Sequence, residues 1–388
     1  KYEIIPIENS LTRICAQELH AVHSLPKFDN SAMDGYALLI EDMDNPLQVD
    51  CKIFAGDDVN FELKQNTCAK IMTGAKIPLN ANAVVPQECV EILNDKNIKV
   101  PQDIKKFQHI RFVGEDINEG EVLIQVGTEI GFAQITLLAS QGVTHIRVFK
   151  KPKIVVFSSG EELKLHYEDV KNYQIYNSNT PTFISRCKEL GCDVTFIGQA
   201  KDSITSIKES ILNSLDADLI ITSGGVSVGD ADFTKAAFNE LEFKTLFDGI
   251  IIKPGKPTVF GKINNTFILN LPGNPLASAL IFEVFGKLIV NKLLGNKKEH
   301  YSFIETKISN DLKNKKGRET IIPGFFDGIN FKVSQNRSPG MVCTLSSCNA
   351  IIILEKNVSE LKKDKKVKIL PITWNFFTEE KKDYLTYE

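Results

Sequence analysis

The chain has 388 residues, 43% of them apolar and 24% charged, and a formal charge of −3. That length exceeds what one core usually needs and predicts about two to four domains. The charge balance excludes a global basic field for nucleic acid, and no run of about 18 uncharged apolar residues predicts a membrane span. The start, Lys1 to Pro6, carries no apolar signal core, and the eight cysteines form no Cys-x-x-Cys pair. Scattered thiols of this kind read as buried side chains in a reducing cytoplasm. The six histidines form no ligand cluster; His20 and His23 lack a third ligand nearby in sequence.

Residues 31 to about 115 hold short β-like runs, such as Val49–Phe54 and Ala83–Val85, between turn residues. Gly131–Gln141 reads as a short helix stopped by Gly142, followed by a strand to Phe149. From 153 the pattern is regular. Lys153–Phe157 is a buried-strand run. Thr180-Pro181 predicts a helix start, with Phe183, Ile184, Cys187 and Leu190 on one face and Gly191 as its stop. Val194–Ile197 is a second strand, and Ile204, Ile207, Ile211 and Leu215 mark a second amphipathic helix. Leu219–Thr222 is a third strand, and a further helix is predicted over about 231–241. Thr258–Phe260 and Thr266–Leu269 read as a hairpin turned at Asn264-Asn265. Pro275–Leu294 is a long apolar helix capped by Asn274. Alternating strands and helices predict a doubly wound, mostly parallel sheet, which binds ligands at the carboxyl ends of its strands. Residues 301–374 return to short β runs. The fold class is therefore multidomain: α/β plus β, with β-rich modules before and after the doubly wound sheet.

The strongest local signal is the glycine-bearing loop Ser223-Gly224-Gly225-Val226-Ser227-Val228-Gly229-Asp230 between a strand and a helix. Such a loop lets backbone approach a ligand and presents free amides to phosphate. A tight strand–helix turn is the plainer alternative, and the spacing fits neither the dinucleotide nor the P-loop pattern. Asp230 and Asp232 follow it. Two acids beside a phosphate loop make sense if Mg²⁺ lies between them, or they are ordinary acids at a helix start. Lys253-Pro254-Gly255-Lys256-Pro257 places two cations on a stiffened turn, suited to a small dianion or simply to the surface. Leu271–Pro275 would add further amides.

Together these segments, with Asp29–Ala37, Ile71–Ala75, Ala83–Glu88, Gly114–Ile117 and Ser158–Leu163, closely resemble the molybdopterin molybdenumtransferase family, which includes bacterial MoeA and the E domain of gephyrin. They follow the family's order across roughly residues 25 to 355. The resemblance implies a homodimer of four-domain subunits. A linker and dimerisation domain would comprise 1–30 and 116–149, a β-rich domain 31–115, a molybdopterin-binding domain 150–298 and a C-terminal β domain 299–388. It implies insertion of molybdate into adenylylated molybdopterin with release of AMP, assisted by Mg²⁺, and an upstream molybdopterin adenylyltransferase as partner. The site would lie between the doubly wound domain and the β-rich module of the other subunit.

Carried over motif by motif, Asp34, Asp116, Glu162 and Asp202 would be catalytic, and Asp230 and Asp232 would hold the metal. Thr73, Ser223, Gly224, Gly225, Ser227, Gly229, Pro257 and Asn274 would contact substrate. Lys253, Lys256 and Arg318 would hold molybdate, and Ser338 would sit near the nucleotide. Charge-assisted donors suit a tetrahedral oxyanion. Three departures stand out. The region before the first motif is short, which points to a truncated start. Glu161 replaces the family's aspartate in Ser158–Leu163. Ala277 replaces a family serine, whose contact would pass to Ser278. The rival readings are the adenylyltransferase that precedes this step and a catalytically silent scaffold. The β-rich modules argue against the first, and the array of Asp34, Asp230, Lys253 and Lys256 against the second.

Overall fold

The computed structural model describes residues 1–224 and 233–373. At the amino end, strand Tyr2–Pro6 pairs antiparallel with His145–Phe149, and Leu19–His20 with Val122–Ile124. Helix Phe132–Ser140 covers them, ending before Gly142 at φ +70°. Ile7, Cys15, Ile130, Leu138 and Val148 fill the core beneath. Between these halves lies a six-stranded sheet in the order 83–86, 35–38, 67–71, 47–53, 97–99, 91–92. Alternation packs both of its faces: Leu38, Cys68 and Val85 on one, Ala37, Ala69 and Val84 on the other.

The central sheet has the order 193–200, 153–159, 219–223, 266–271, 259–263, 244–248. The first four strands run parallel, and 259–263 runs antiparallel to both of its neighbours. Successive residues of strand Lys153–Ser159 face opposite ways. Ile154 and Val156 meet helix Asn179–Glu189 and the 275–293 helical run; Val155 and Phe157 meet helices Ile204–Leu212 and Phe233–Glu240. Burying one such side chain contributes about 1.5–3 kcal/mol, so this two-sided alternation fixes the register. The hairpin turns at Asn264, whose φ is +52°.

Two expectations are refined. The helix expected at Thr180 starts at Asn179, and the oxygen that accepts the Thr180 amide is Asn177 Oδ1, at 3.1 Å. The long carboxyl-side helix is α-helical over Pro275–Ile281 and Lys287–Leu293, with a π-helical segment, Phe282–Gly286, between them.

The last module is a ring of strands: Glu319–Phe326 pairs with both Asn330–Val333 and Ala350–Leu354, and Lys366–Pro371 joins Ile304–Ile308 to Ala350–Leu354. Ile304–Ile308 and Asn330–Val333 close it. A short strand, Ile252–Lys253, leaves the central domain and pairs parallel with Glu319–Thr320. Arg186 ties the same two regions together. Its guanidinium binds both carboxylate oxygens of the buried Glu283, at 2.6 and 2.9 Å, and reaches the Ile372 carbonyl at 3.4 Å. All eight cysteines are free, and burial pushes the Cys192 thiol up to about 12. No helix among the described residues is long and apolar enough to cross a membrane.

Candidate active site

A cavity of about 1080 Å³ opens at the carboxyl ends of strands 153–159, 219–223 and 266–271, where a doubly wound sheet offers its crevice. Ser159 and Ser223 end two adjacent strands there, both almost fully buried. Gly224 follows with φ +95°; a Cβ at that position would lie 2.7 Å from the Ser159 carbonyl oxygen. Only glycine permits this close approach.

Across the cavity, Lys256, Pro257 and Asn274 join the lining. Asn274 precedes the helix opened by Pro275, whose amino end carries a partial positive charge. Glu162 lines the cavity from a loop held in place by Asp202, whose carboxylate accepts the Glu161 amide at 3.1 Å. Of the residues expected to form the site, Glu162, Ser223, Gly224, Lys256, Pro257 and Asn274 thus share one cavity, and Asp202 supports it. Gly225, Ser227, Gly229, Asp230 and Asp232 lie outside the described residues.

Lys253, Arg318 and Ser338 are not in the lining. Lys253 stands on the strand paired with Thr320, two residues after Arg318, so both belong to the edge of the carboxyl-terminal sheet. Ser338 sits on a loop whose Pro339 carbonyl accepts the Ala277 amide at 3.2 Å, beside the helix start. Asp34, Thr73 and Asp116 are exposed on the amino-terminal modules. The Asp34 carboxylate accepts the Thr73 amide and hydroxyl, each at 2.7 Å. The amide first, then the hydroxyl, and further off Lys70, hold this carboxyl below the ordinary aspartate range.

Three features of the site carry no motif in the sequence. Asn179 is a buried hub: its amide donates to the Gly273 carbonyl at 2.8 Å and to Ser223 Oγ at 3.4 Å, and its Oδ1 accepts from Ser278 Oγ at 3.1 Å. One side chain thereby fixes the glycine loop, the Leu271–Pro275 turn and a helix start. Lys235 and Asp248 form an ion pair of 2.9 Å on the cavity wall. Tyr176 lines the cavity from a short ribbon. The polar run Asn177-Ser178-Asn179 was a usable signal for the first; the other two depend on distant pairing.

No group of three or more His, Cys, Asp or Glu able to hold a metal occurs among the described residues. The donors around the cavity are nevertheless oxygens: the carboxylates of Glu162 and Asp248 and the hydroxyls of Ser159 and Ser223. Ser159 Oγ is buried without a partner among the described residues. Such hard donors suit Mg²⁺ rather than a soft metal.

Residues 1–142 match a family model described as the MoeA N-terminal region (domain I and II), 155–292 one described as a probable molybdopterin binding domain, and 305–372 the MoeA C-terminal region (domain IV). The chain is 36% identical to a molybdopterin molybdenumtransferase of Haemophilus influenzae over 84% of its length and 81% of the relative's. It is 29% identical to one from Staphylococcus epidermidis over 97% of its length and 92% of the relative's. Two crystal structures of a molybdopterin biosynthesis MoeA protein from Pyrococcus horikoshii align with TM-score 0.82, at 28% and 25% identity. Each covers 96% of this chain, and 95% and 94% of theirs.

Proposed function

The chain belongs to the molybdopterin molybdenumtransferase family, and from that premise we propose that it inserts molybdate into adenylylated molybdopterin, with AMP as the second product. It is a transferase of molybdenum cofactor biosynthesis. The observation that supports this substrate pair best is the cavity itself, where a glycine turn, a helix start and Lys256 face one another. Phosphate oxygens and a tetrahedral dianion both need such donors.

The glycine turn at Ser223-Gly224 would cradle the adenylate phosphates. Lys256, with Asn274 at the helix start, would hold molybdate; Lys253 and Arg318, at the adjoining sheet edge, would raise the local concentration of the anion. Asp230 and Asp232, with Glu162, would hold Mg²⁺, which neutralises phosphate charge when bound. Asp202 would position the loop carrying Glu162. Asp34, Thr73 and Asp116 would act on the same cavity from a second copy of the chain, which makes the working unit a homodimer. Ser338 would approach the nucleotide from its loop beside Ala277. An upstream adenylyltransferase would supply the substrate.

The test offers the protein two substrate pairs in the presence of Mg²⁺. Adenylylated molybdopterin with molybdate should release AMP and yield the molybdenum-bearing cofactor. Turnover only with molybdopterin and ATP would instead make the chain an adenylyltransferase.

A further inference from the structure

The cavity lining joins the polar side chains of Ser159, Asn179, Ser223, Lys256 and Asn274 to the large, mostly apolar side chains of Ile175 and Tyr176. These two residues form one strand of a ribbon that pairs Leu163–Lys164 with Ile175–Tyr176 and joins no larger sheet. Ile175 is 58% and Tyr176 50% exposed, and neither belongs to the cores on the two faces of the central sheet.

The ribbon is nonetheless well anchored. The Ile175 amide donates to the Glu162 carbonyl at 2.9 Å and the Asn177 amide to the Lys164 carbonyl at 2.8 Å. The Asn177 side chain donates to Ser158 Oγ at 2.8 Å and to Thr180 Oγ1 at 2.9 Å, so the residue after Tyr176 is fixed to the sheet. Gln199 Nε2 donates to the Leu163 carbonyl at 3.3 Å. A large ring held at a cavity by ordered backbone, with no core of its own to join, presents a ready face to a flat ligand.

We propose that Tyr176, flanked by Ile175, is the stacking platform for a planar nitrogen heterocycle of the substrate. The substrate is then oriented with that ring on the ribbon and its anionic end toward Gly224, Lys256 and Asn274. The proposal rests on the reading that the substrate is adenylylated molybdopterin, which carries two such rings, pterin and adenine. Stacking is tolerant of ring identity, because either ring offers a π-face.

The test titrates the full chain with AMP, with pterin and with molybdate in separate calorimetric experiments, in wild type, Tyr176→Ala and Tyr176→Phe. The expected result is that Tyr176→Ala weakens AMP or pterin by on the order of ten-fold, leaves molybdate unchanged, and that Tyr176→Phe recovers most of the loss. Loss confined to AMP assigns the platform to adenine; loss confined to pterin assigns it to the pterin. Unaltered affinity for both rings, absence of ring binding in the wild type, or an equal loss for molybdate would each overturn the proposal. The function itself fails differently, through absent molybdenum insertion by a wild type that still binds the ring.

Discussion

Asp34 and Thr73 stand 39 residues apart in sequence, yet two hydrogen bonds of 2.7 Å join them, one from the Thr73 amide and one from its hydroxyl. Both donors favour the ionised carboxylate, so the Asp34 pKa lies below its ordinary value. The sign follows from linkage: the pair is fully formed above the ordinary aspartate range and is lost as pH falls through the lowered pKa. Thr73→Val keeps the amide donor and removes the hydroxyl. The Asp34 titration, followed by carboxyl NMR, should then move up toward the ordinary range. A titration identical to wild type would show that the hydroxyl contributes nothing.

Lys256 is the cation of the Lys253–Pro257 turn that lines the cavity. A hydrogen bond to a charged partner contributes about 1.5–3 kcal/mol. Lys256→Ala should therefore raise the molybdate requirement roughly ten- to a hundred-fold. Lys253→Ala, on the strand paired with Thr320, should raise it less. Wild-type molybdate dependence in Lys256→Ala would remove this lysine from the anion site.

Gly224 combines φ +95° with a backbone approach that leaves no room for a Cβ. Left-handed backbone costs an ordinary residue about 1–2 kcal/mol before any clash. Gly224→Ala should lower the unfolding free energy from urea titration by that amount or more and abolish turnover. A stable, fully active variant would show that the turn does not shape the cavity.

Arg186 is 18% exposed and its partner Glu283 9%. Arg186→Ala would leave a buried carboxylate unpaired, which costs about 3–5 kcal/mol. Equilibrium unfolding should show that loss, with a smaller one in the Arg186→Ala, Glu283→Leu double variant. If the single variant unfolds like wild type, Glu283 finds another partner.

Much of the central domain was legible because periodicity speaks directly for burial. Ile154, Val155, Val156 and Phe157 read as a strand buried on both sides, and they are. The Asn264-Asn265 turn and the helix stops at Gly142 and Gly191 follow from local backbone chemistry in the same way. What stayed hidden depends on contacts distant in sequence. Asn179 reaches Ser223, Gly273 and Ser278 across 44, 94 and 99 residues; the polar run around it marks a special position but not which distant residues it joins. Lys253 and Lys256 look equivalent on one turn. Only the pairing of Lys253 with Thr320 separates them. Tyr176 gives no periodic signal because its ribbon belongs to no larger sheet.

The most direct measurement is the position of molybdenum, located by its anomalous scattering in crystals soaked with molybdate, AMP and Mg²⁺. The predicted result is a molybdenum peak inside the cavity, against Lys256 and Asn274, with the nucleotide phosphate at Gly224. A peak elsewhere on the molecule, with this cavity holding neither anion, would contradict the account.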